Sequence, residues 1–159
     1  MKTLYVMRHA KSSWDYPELS DYERPLNKRG KRDAPRMAEW LSQQEELPQT
    51  IITSGANRAL TLAKVVHEKL CCELQINDDL YGVGTRELLQ IIRNFDDSYE
   101  CLMIVGHNPE LTAFINHYGS MNLLNLPTSG LVRIRFNADH WSAVHKGQTD
   151  LQMWPKLLD

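Results

Sequence analysis

At 159 residues the chain has the length of one ordinary domain, enough to bury an apolar core without disulfide or metal staples. Its 18 Lys and Arg nearly balance 20 Asp and Glu, and a formal net charge of -2 argues against a nucleic-acid or membrane-surface binder. Three cysteines, Cys71, Cys72 and Cys101, form neither a Cys-x-x-Cys pair nor an even set, so reduced thiols and a cytoplasmic setting are expected.

The first apolar run, Leu4 to Met7, reads as a strand and empties into Arg8 and His9. It is too short for a signal-peptide core and is cut by Arg8, and no stretch approaches the length of a membrane span. Arg24 follows in a polar stretch as a candidate contact at the rim of a site. Asn27 is a plausible N-cap for a helix carrying Ala34, Met37, Ala38 and Leu41 at helical spacing, with Pro35 expected to kink it or mark a late start. The basic cluster Lys28-Arg29-Gly30-Lys31-Arg32 reads as the solvated start of that helix, able to steer an acidic protein partner.

A second strand, Thr50 to Thr53, empties into Ser54-Gly55-Ala56-Asn57-Arg58. The stripe Ala59, Leu62, Ala63, Val66 and Leu70 marks the next helix and places Arg58 in its first turn, where backbone N–H groups and the helix dipole add to its positive charge. Asp78 and Asp79 read as turn formers, and a third helix begins at Thr85 with Leu88, Leu89 and Ile92 inward. Another apolar run, Leu102 to Val105, empties into Gly106-His107-Asn108-Pro109. There Asn108 is expected to cap a fourth helix, with Pro109 in its first position and Leu111, Phe114 and Ile115 packing it down.

The tail changes character. Leu131 to Phe136, Trp141 to Val144 and Leu151 to Trp154 read as short strands extending a sheet at its edge, after a turn at Pro127 to Gly130. Strands alternating with amphipathic helices predict an α/β fold: one domain over residues 1–159, a three-layer α/β/α sandwich whose mostly parallel sheet is flanked by helices. His67, His117, His140 and His145 stand in no motif and are read as surface or packing residues.

His9 and His107, each at a strand end, reach one crevice if the strands are parallel, because open α/β sheets gather ligands at the carboxyl ends of their strands. Arg8 and Arg58 join them. Two imidazoles and two guanidiniums, with no cysteine or carboxylate cluster nearby in sequence, suit a phosphoryl group better than a metal, since the planar fork of arginine matches phosphate oxygens and its charge repels a cation.

With Arg8-His9-Ala10, then Ser54 through Arg58, then Gly106-His107, the chain resembles the histidine phosphatase superfamily, whose members carry Arg-His-Gly, Ser-x-x-x-Arg and a late Gly-His in that order. The form Arg8-His9-Ala10-Lys11-Ser12 and the stretch Arg24 to Gly30 are most similar to SixA-type phosphohistidine phosphatases; the resemblance runs from Met1 to about Arg135. It implies the phosphoglycerate mutase-like fold and a phosphatase needing neither cofactor nor metal. It further implies His9 as nucleophile, Arg8 and Arg58 as a cradle for the phosphoryl oxygens, and His107 as a further donor. Ser12 supplies either a hydroxyl to the phosphate or a turn. The implied partner is a phosphorylated protein such as a histidine phosphotransfer domain, met by a monomer.

Members acting on esters supply a carboxylate after the third strand, and the segment Asn77 to Gly82 assigns none clearly. An imidazole leaving group needs little protonation, so the gap points to phosphohistidine. Ala10 in place of glycine and Asp15 after Trp14 weaken a sugar-phosphate mutase reading. The alternatives are a phosphatase for small esters and a phosphate-binding module without turnover.

Overall fold

A computed structural model describes residues 1–159. Its six strands are β1 (Lys2–Arg8), β2 (Thr50–Thr53), β3 (Glu73–Ile76), β4 (Cys101–Gly106), β5 (Leu131–Phe136) and β6 (Gln148–Met153). They lie in the order β3-β2-β4-β1-β5-β6. The first four run parallel; β5 runs antiparallel to β1, and β6 antiparallel to β5.

The helices are α1 (Lys28–Ser42), α2 (Asn57–Leu70), α3 (Thr85–Arg93) and α4 (Glu110–Tyr118). Alternation along the central strands assigns each face of the sheet its own helix pair. Tyr5, Met7, Met103 and Val105 face Met37, Leu41, Leu62 and Val66 of α1 and α2. Leu4, Val6, Leu102 and Ile104 face Leu88, Ile92, Phe114 and Ile115 of α3 and α4. Strands buried on both faces read as continuous apolar runs, which is why β1 and β4 are so visible in the sequence. Each of these fully buried side chains contributes roughly 1.5–3 kcal/mol over its exposed state. The three-layer α/β/α architecture and mostly parallel sheet are as the sequence predicts.

The local expectations fare unevenly. Asn27 is the N-cap of α1, its Oδ1 accepting from the Gly30 N–H at 2.9 Å. The helix therefore begins at Lys28 and not late, and it continues through Pro35. Pro35 denies the Lys31 carbonyl its helical partner, but Lys31 is exposed and that turn is wet. At α4 the N-cap position is Pro109 and not Asn108, which stands one residue earlier and still accepts from the Thr112 N–H at 3.1 Å, so helix and cap both begin one residue later than expected.

Trp141 to Val144 is not a strand. It is a 3-10 turn, Trp141–Ala143, that folds the buried indole under α3. A run of four residues with two large apolar side chains fits a short strand and a tight turn equally well, and here Asp97 decides, accepting from the Trp141 backbone N–H at 2.8 Å. The strand expected over Leu151 to Trp154 begins earlier, at Gln148. No helix is long and apolar enough to cross a membrane.

Candidate active site

β1, β2 and β4 are parallel, so the loops after Arg8, Thr53 and Gly106 open at the same edge. From β1 the chain crosses toward β2 on one side of the sheet, and from β4 it crosses toward β5 on the other. The crevice at that reversal is where an open α/β sheet binds ligands. Arg8 pairs with Gly106 in register, and the His9 N–H donates to the Gly106 carbonyl at 3.0 Å. The two histidines consequently sit side by side, ring centroids 5.3 Å apart. The far wall is the turn before β5: the Ser129 N–H donates to the His9 carbonyl, and Ser129 holds a left-handed backbone at φ 61°.

His9 is buried, and its Nδ1 lies 2.7 Å from the carbonyl of Ala10. A carbonyl only accepts, so Nδ1 carries the proton and Nε2 keeps a free lone pair. Burial, and then the nearby His107, Arg58 and Arg8, push its pKa down to about 3 against the opposing pull of the Ala10 carbonyl. His9 is therefore neutral across the physiological range, as a nitrogen nucleophile must be.

His107 is fixed in the complementary sense. Its Nε2 lies 2.7 Å from the Ser54 hydroxyl, which also accepts from the Ala56 N–H at 3.3 Å. A hydroxyl that accepts from Ala56 can give its own proton to Nε2, and in that arrangement Nδ1 is the protonated nitrogen of His107. Burial and Arg58 lower the pKa of this ring to about 4. In that tautomer the neutral ring donates through Nδ1, an atom that is buried without a partner.

The arginines show the same pattern. Arg58, in the first turn of α2, gives Nη1 to the Asp21 carbonyl at 2.7 Å and Nη2 to Asp21 Oδ2 at 2.9 Å, yet its Nε is buried and unpartnered. Arg8 gives Nη1 to the Leu126 carbonyl at 3.0 Å, and its Nε too has no partner. Burial and the neighbouring Arg58 charge lower the Arg8 pKa.

Arg24 is not at a rim. It is buried beneath the exposed Trp14, its guanidinium 3.6 Å from the indole centroid, and bonds Ser12 Oγ at 2.8 Å and Asp21 Oδ1 at 3.0 Å. The planar guanidinium stacks and forks at once, which draws it inward. Ser12 accepts from Arg24 and also pairs with Leu26 through a single antiparallel bridge, so both readings of Ser12 stay compatible with its place beside the site. His67 and His117 lie on α2 and α4, and His140 and His145 are exposed, all apart from the site motifs.

Sequence reasoning missed Asp21, Tyr81 and the use of Ser54. Tyr81 donates its hydroxyl to Asp21 Oδ2 at 2.7 Å and sets its ring edge-on against His107, centroids 5.3 Å apart. It also lines an open groove of about 630 Å³ with Asp78, Asp79 and Glu87. The one available signal was Asp21 three residues before Arg24, an acid and a base at a spacing that lets side chains meet.

The family model described as histidine phosphatase superfamily (branch 1) matches residues 4–85, taking in Arg8, His9, Ser54 and Arg58. The uncharacterized protein MT1313 of Mycobacterium tuberculosis is 31% identical over 153 residues, covering 89% of this chain and 93% of that protein. The chain belongs to the histidine phosphatase superfamily. A further relative, the chloroplastic uncharacterized protein At3g52155 of Arabidopsis thaliana, is 34% identical over 118 residues, covering 67% of this chain and 54% of its own.

Among solved structures, the SixA protein of Agrobacterium tumefaciens superposes with a TM-score of 0.84 at 22% identity, over 97% of this chain and 98% of that one. The protein histidine phosphatase SixA complexed with tungstate superposes with a TM-score of 0.81 at 19% identity, over 99% of both chains. At such identities the likeness establishes the shared fold. The superfamily motifs that the sequence carries at three separate strand ends are, in that fold, neighbours.

Proposed function

We propose that this superfamily member is a phosphohistidine phosphatase working through a phosphorylated His9, with a phosphorylated protein as substrate. The observation that carries the reading is the set of buried nitrogens without partners: Arg8 Nε, Arg58 Nε and His107 Nδ1, gathered about His9. Buried N–H groups are nearly always satisfied, and three in one crevice describe the hydrogen-bonding demand of a tetrahedral oxyanion. The tungstate held by the SixA structure of the same fold supports this.

His9 Nε2 attacks phosphorus opposite the leaving imidazole, forming one P–N bond as the substrate's P–N bond breaks. Arg8, Arg58 and His107 hold the three non-bridging oxygens through the transition state. Water then attacks the phosphoenzyme, releasing inorganic phosphate and restoring the neutral imidazole, while the Ala10 carbonyl keeps the proton on Nδ1 throughout. None of these steps asks for a metal or cofactor, and no three His, Cys, Asp or Glu side chains cluster as metal ligands.

The nearby carboxylates favour phosphohistidine over esters. Burial of Asp21 opposes its charge, but hydrogen bonds from Tyr81, Arg58 and Arg24 outweigh it and hold the carboxyl well below the usual range, so it has no proton to give. Asp78 accepts from both the Gly55 N–H and the Tyr22 hydroxyl at 2.8 Å, which ties it into the loop as an acceptor. Neither of these two carboxylates is set to protonate an alkoxide, whereas an imidazole protonated on its far nitrogen departs as a neutral ring and needs no such help.

The test is a substrate series with chelator present: a phosphohistidine protein, aryl phosphates of graded leaving-group pKa, and an alkyl phosphate. Phosphohistidine should be cleaved fastest and ester rates should fall steeply as leaving-group pKa rises, with Asp78→Asn and Asp79→Asn nearly unchanged on phosphohistidine. A flat dependence on leaving-group pKa together with a large loss in either Asp variant would make the protein an ester phosphatase with a general acid.

A further inference from the structure

Asp21 stands in a short 3-10 turn, Asp21–Glu23, outside the strand-end motifs of the site. Its turn carries a reciprocal cap in which Glu23 accepts from the Ser20 backbone N–H, and it is tied to the start of α2 by Asn57, whose Nδ2 donates to the Glu23 carbonyl at 3.1 Å. From there one carboxylate reaches three side chains. Oδ2 accepts from Arg58 Nη2 at 2.9 Å and the Tyr81 hydroxyl at 2.7 Å; Oδ1 accepts from Arg24 Nε at 3.2 Å and Nη2 at 3.0 Å. The Asp21 carbonyl takes Arg58 Nη1 as well.

A guanidinium has five N–H groups in a fixed fork. Asp21 engages both terminal nitrogens of Arg58, and the group left buried and unmatched is Nε–H. Which edge of Arg58 faces the crevice is thus decided by Asp21. The same carboxylate offsets one of the three guanidinium charges of Arg8, Arg24 and Arg58, which leaves a doubly positive pocket for a dianionic phosphoryl group. Through Tyr81 it also braces the ring that packs on His107.

We propose that Asp21 is the positioning residue of this site: its carboxylate, touching no substrate, turns the Nε edge of Arg58 toward the phosphoryl oxygens. The proposal rests on the phosphoryl-site reading above, so its test starts with an anion that needs no turnover. In the full-length protein, Asp21→Asn should weaken tungstate binding and lower kcat/KM for p-nitrophenyl phosphate by about tenfold or more, within the roughly hundredfold cost of misplacing a reacting group by about 1 Å. Asp21→Glu keeps the charge one methylene farther out and should recover part of the loss.

The deciding comparison is the same substitution in an Arg58→Ala background. There Asp21→Asn should cause less than about a twofold further change, because residues acting as a unit are not additive. An equal loss in both backgrounds, or wild-type tungstate affinity in Asp21→Asn, would overturn the proposal while leaving the site reading standing. A wild-type protein that neither binds tungstate nor hydrolyses any substrate of the series would instead remove the site reading itself, and the role of Asp21 with it.

Discussion

The two ends of the sheet both bury cationic side chains, and they treat them in opposite ways. At the amino end Lys2 is almost wholly buried, yet its ammonium donates to the carbonyls of Asp97 and Tyr99 at 2.7 and 2.8 Å, pairs with Glu100 at 3.6 Å and lies 5.5 Å from the Trp141 ring centroid. Every demand of that charge is met from within the protein. At the carboxyl end Arg8, Arg58 and His107 each keep a buried nitrogen without a partner, and no other side-chain nitrogen in the molecule does so. Buried polarity that is satisfied holds a fold together; buried polarity left open and convergent belongs to a ligand.

The contrast breaks first at the arginines. Arg58→Lys and Arg8→Lys keep the charge but lose the fork, and each should lower kcat/KM by roughly 10²–10³-fold, the cost of removing one preorganised donor from a transition state. The unpartnered Nε–H groups add nothing to stability, but each lysine also gives up the Nη bonds to Asp21 or to the Leu126 carbonyl, so thermal stability should fall modestly while activity falls far more. Near-normal turnover in either lysine variant would mean that charge alone serves, and that the unpartnered Nε atoms are incidental.

At the other end the expectation inverts. Lys2→Met removes the ammonium but keeps an apolar stem, stranding two carbonyls, and should cost about 1–3 kcal/mol in denaturant unfolding with kcat/KM unchanged. A loss of activity exceeding the loss of stability would show that the two ends are not separable.

The smallest effect expected is with pH. His9 and His107, with pKa values pushed down to about 3 and about 4, stay neutral where a free imidazole of pKa ~6.5 would titrate. Activity should therefore lack the acidic limb near pH ~6.5 that an ordinary histidine would impose. For stability the sign is fixed: between about 3 and ~6.5 the unfolded chain binds more protons than the native one, so these two rings destabilise the fold progressively as pH falls through that window. Asn at both positions should flatten that part of the stability curve.

Much of the fold and the motifs that converge on the site could be read from the chain. β1 and β4 announce themselves because burial on both faces makes Leu4 to Met7 and Leu102 to Val105 uninterrupted apolar runs, β2 is the shorter Thr50-Ile51-Ile52-Thr53, and each motif opens at or just after a strand end. Arg58 was legible for a second reason, the apolar stripe of α2 that places it in the first turn. Asp21 was not, because a three-residue turn has no period and the partners that give it meaning are 37 and 60 residues away. Arg24 misled for a related cause: a charged residue in a polar stretch reads as exposed, and only the stacking of Trp14 above it and Ser12 beside it draws it inward. The Ser54 hydroxyl that bonds His107 Nε2 comes from 53 residues away, a pairing that only the parallel register of β2 and β4 creates.

Covalent catalysis at His9 is the claim on which the rest depends, and it is tested most directly by trapping the intermediate. The protein is mixed with a phosphohistidine substrate, quenched in alkali within the first turnover to preserve the P–N bond, and its peptides are mapped by mass spectrometry. A phosphoryl group on His9, absent from His9→Ala and lost on a time scale matching turnover, is the expected result. Phosphate on His107, or full turnover with no phosphoenzyme at any time, would contradict it.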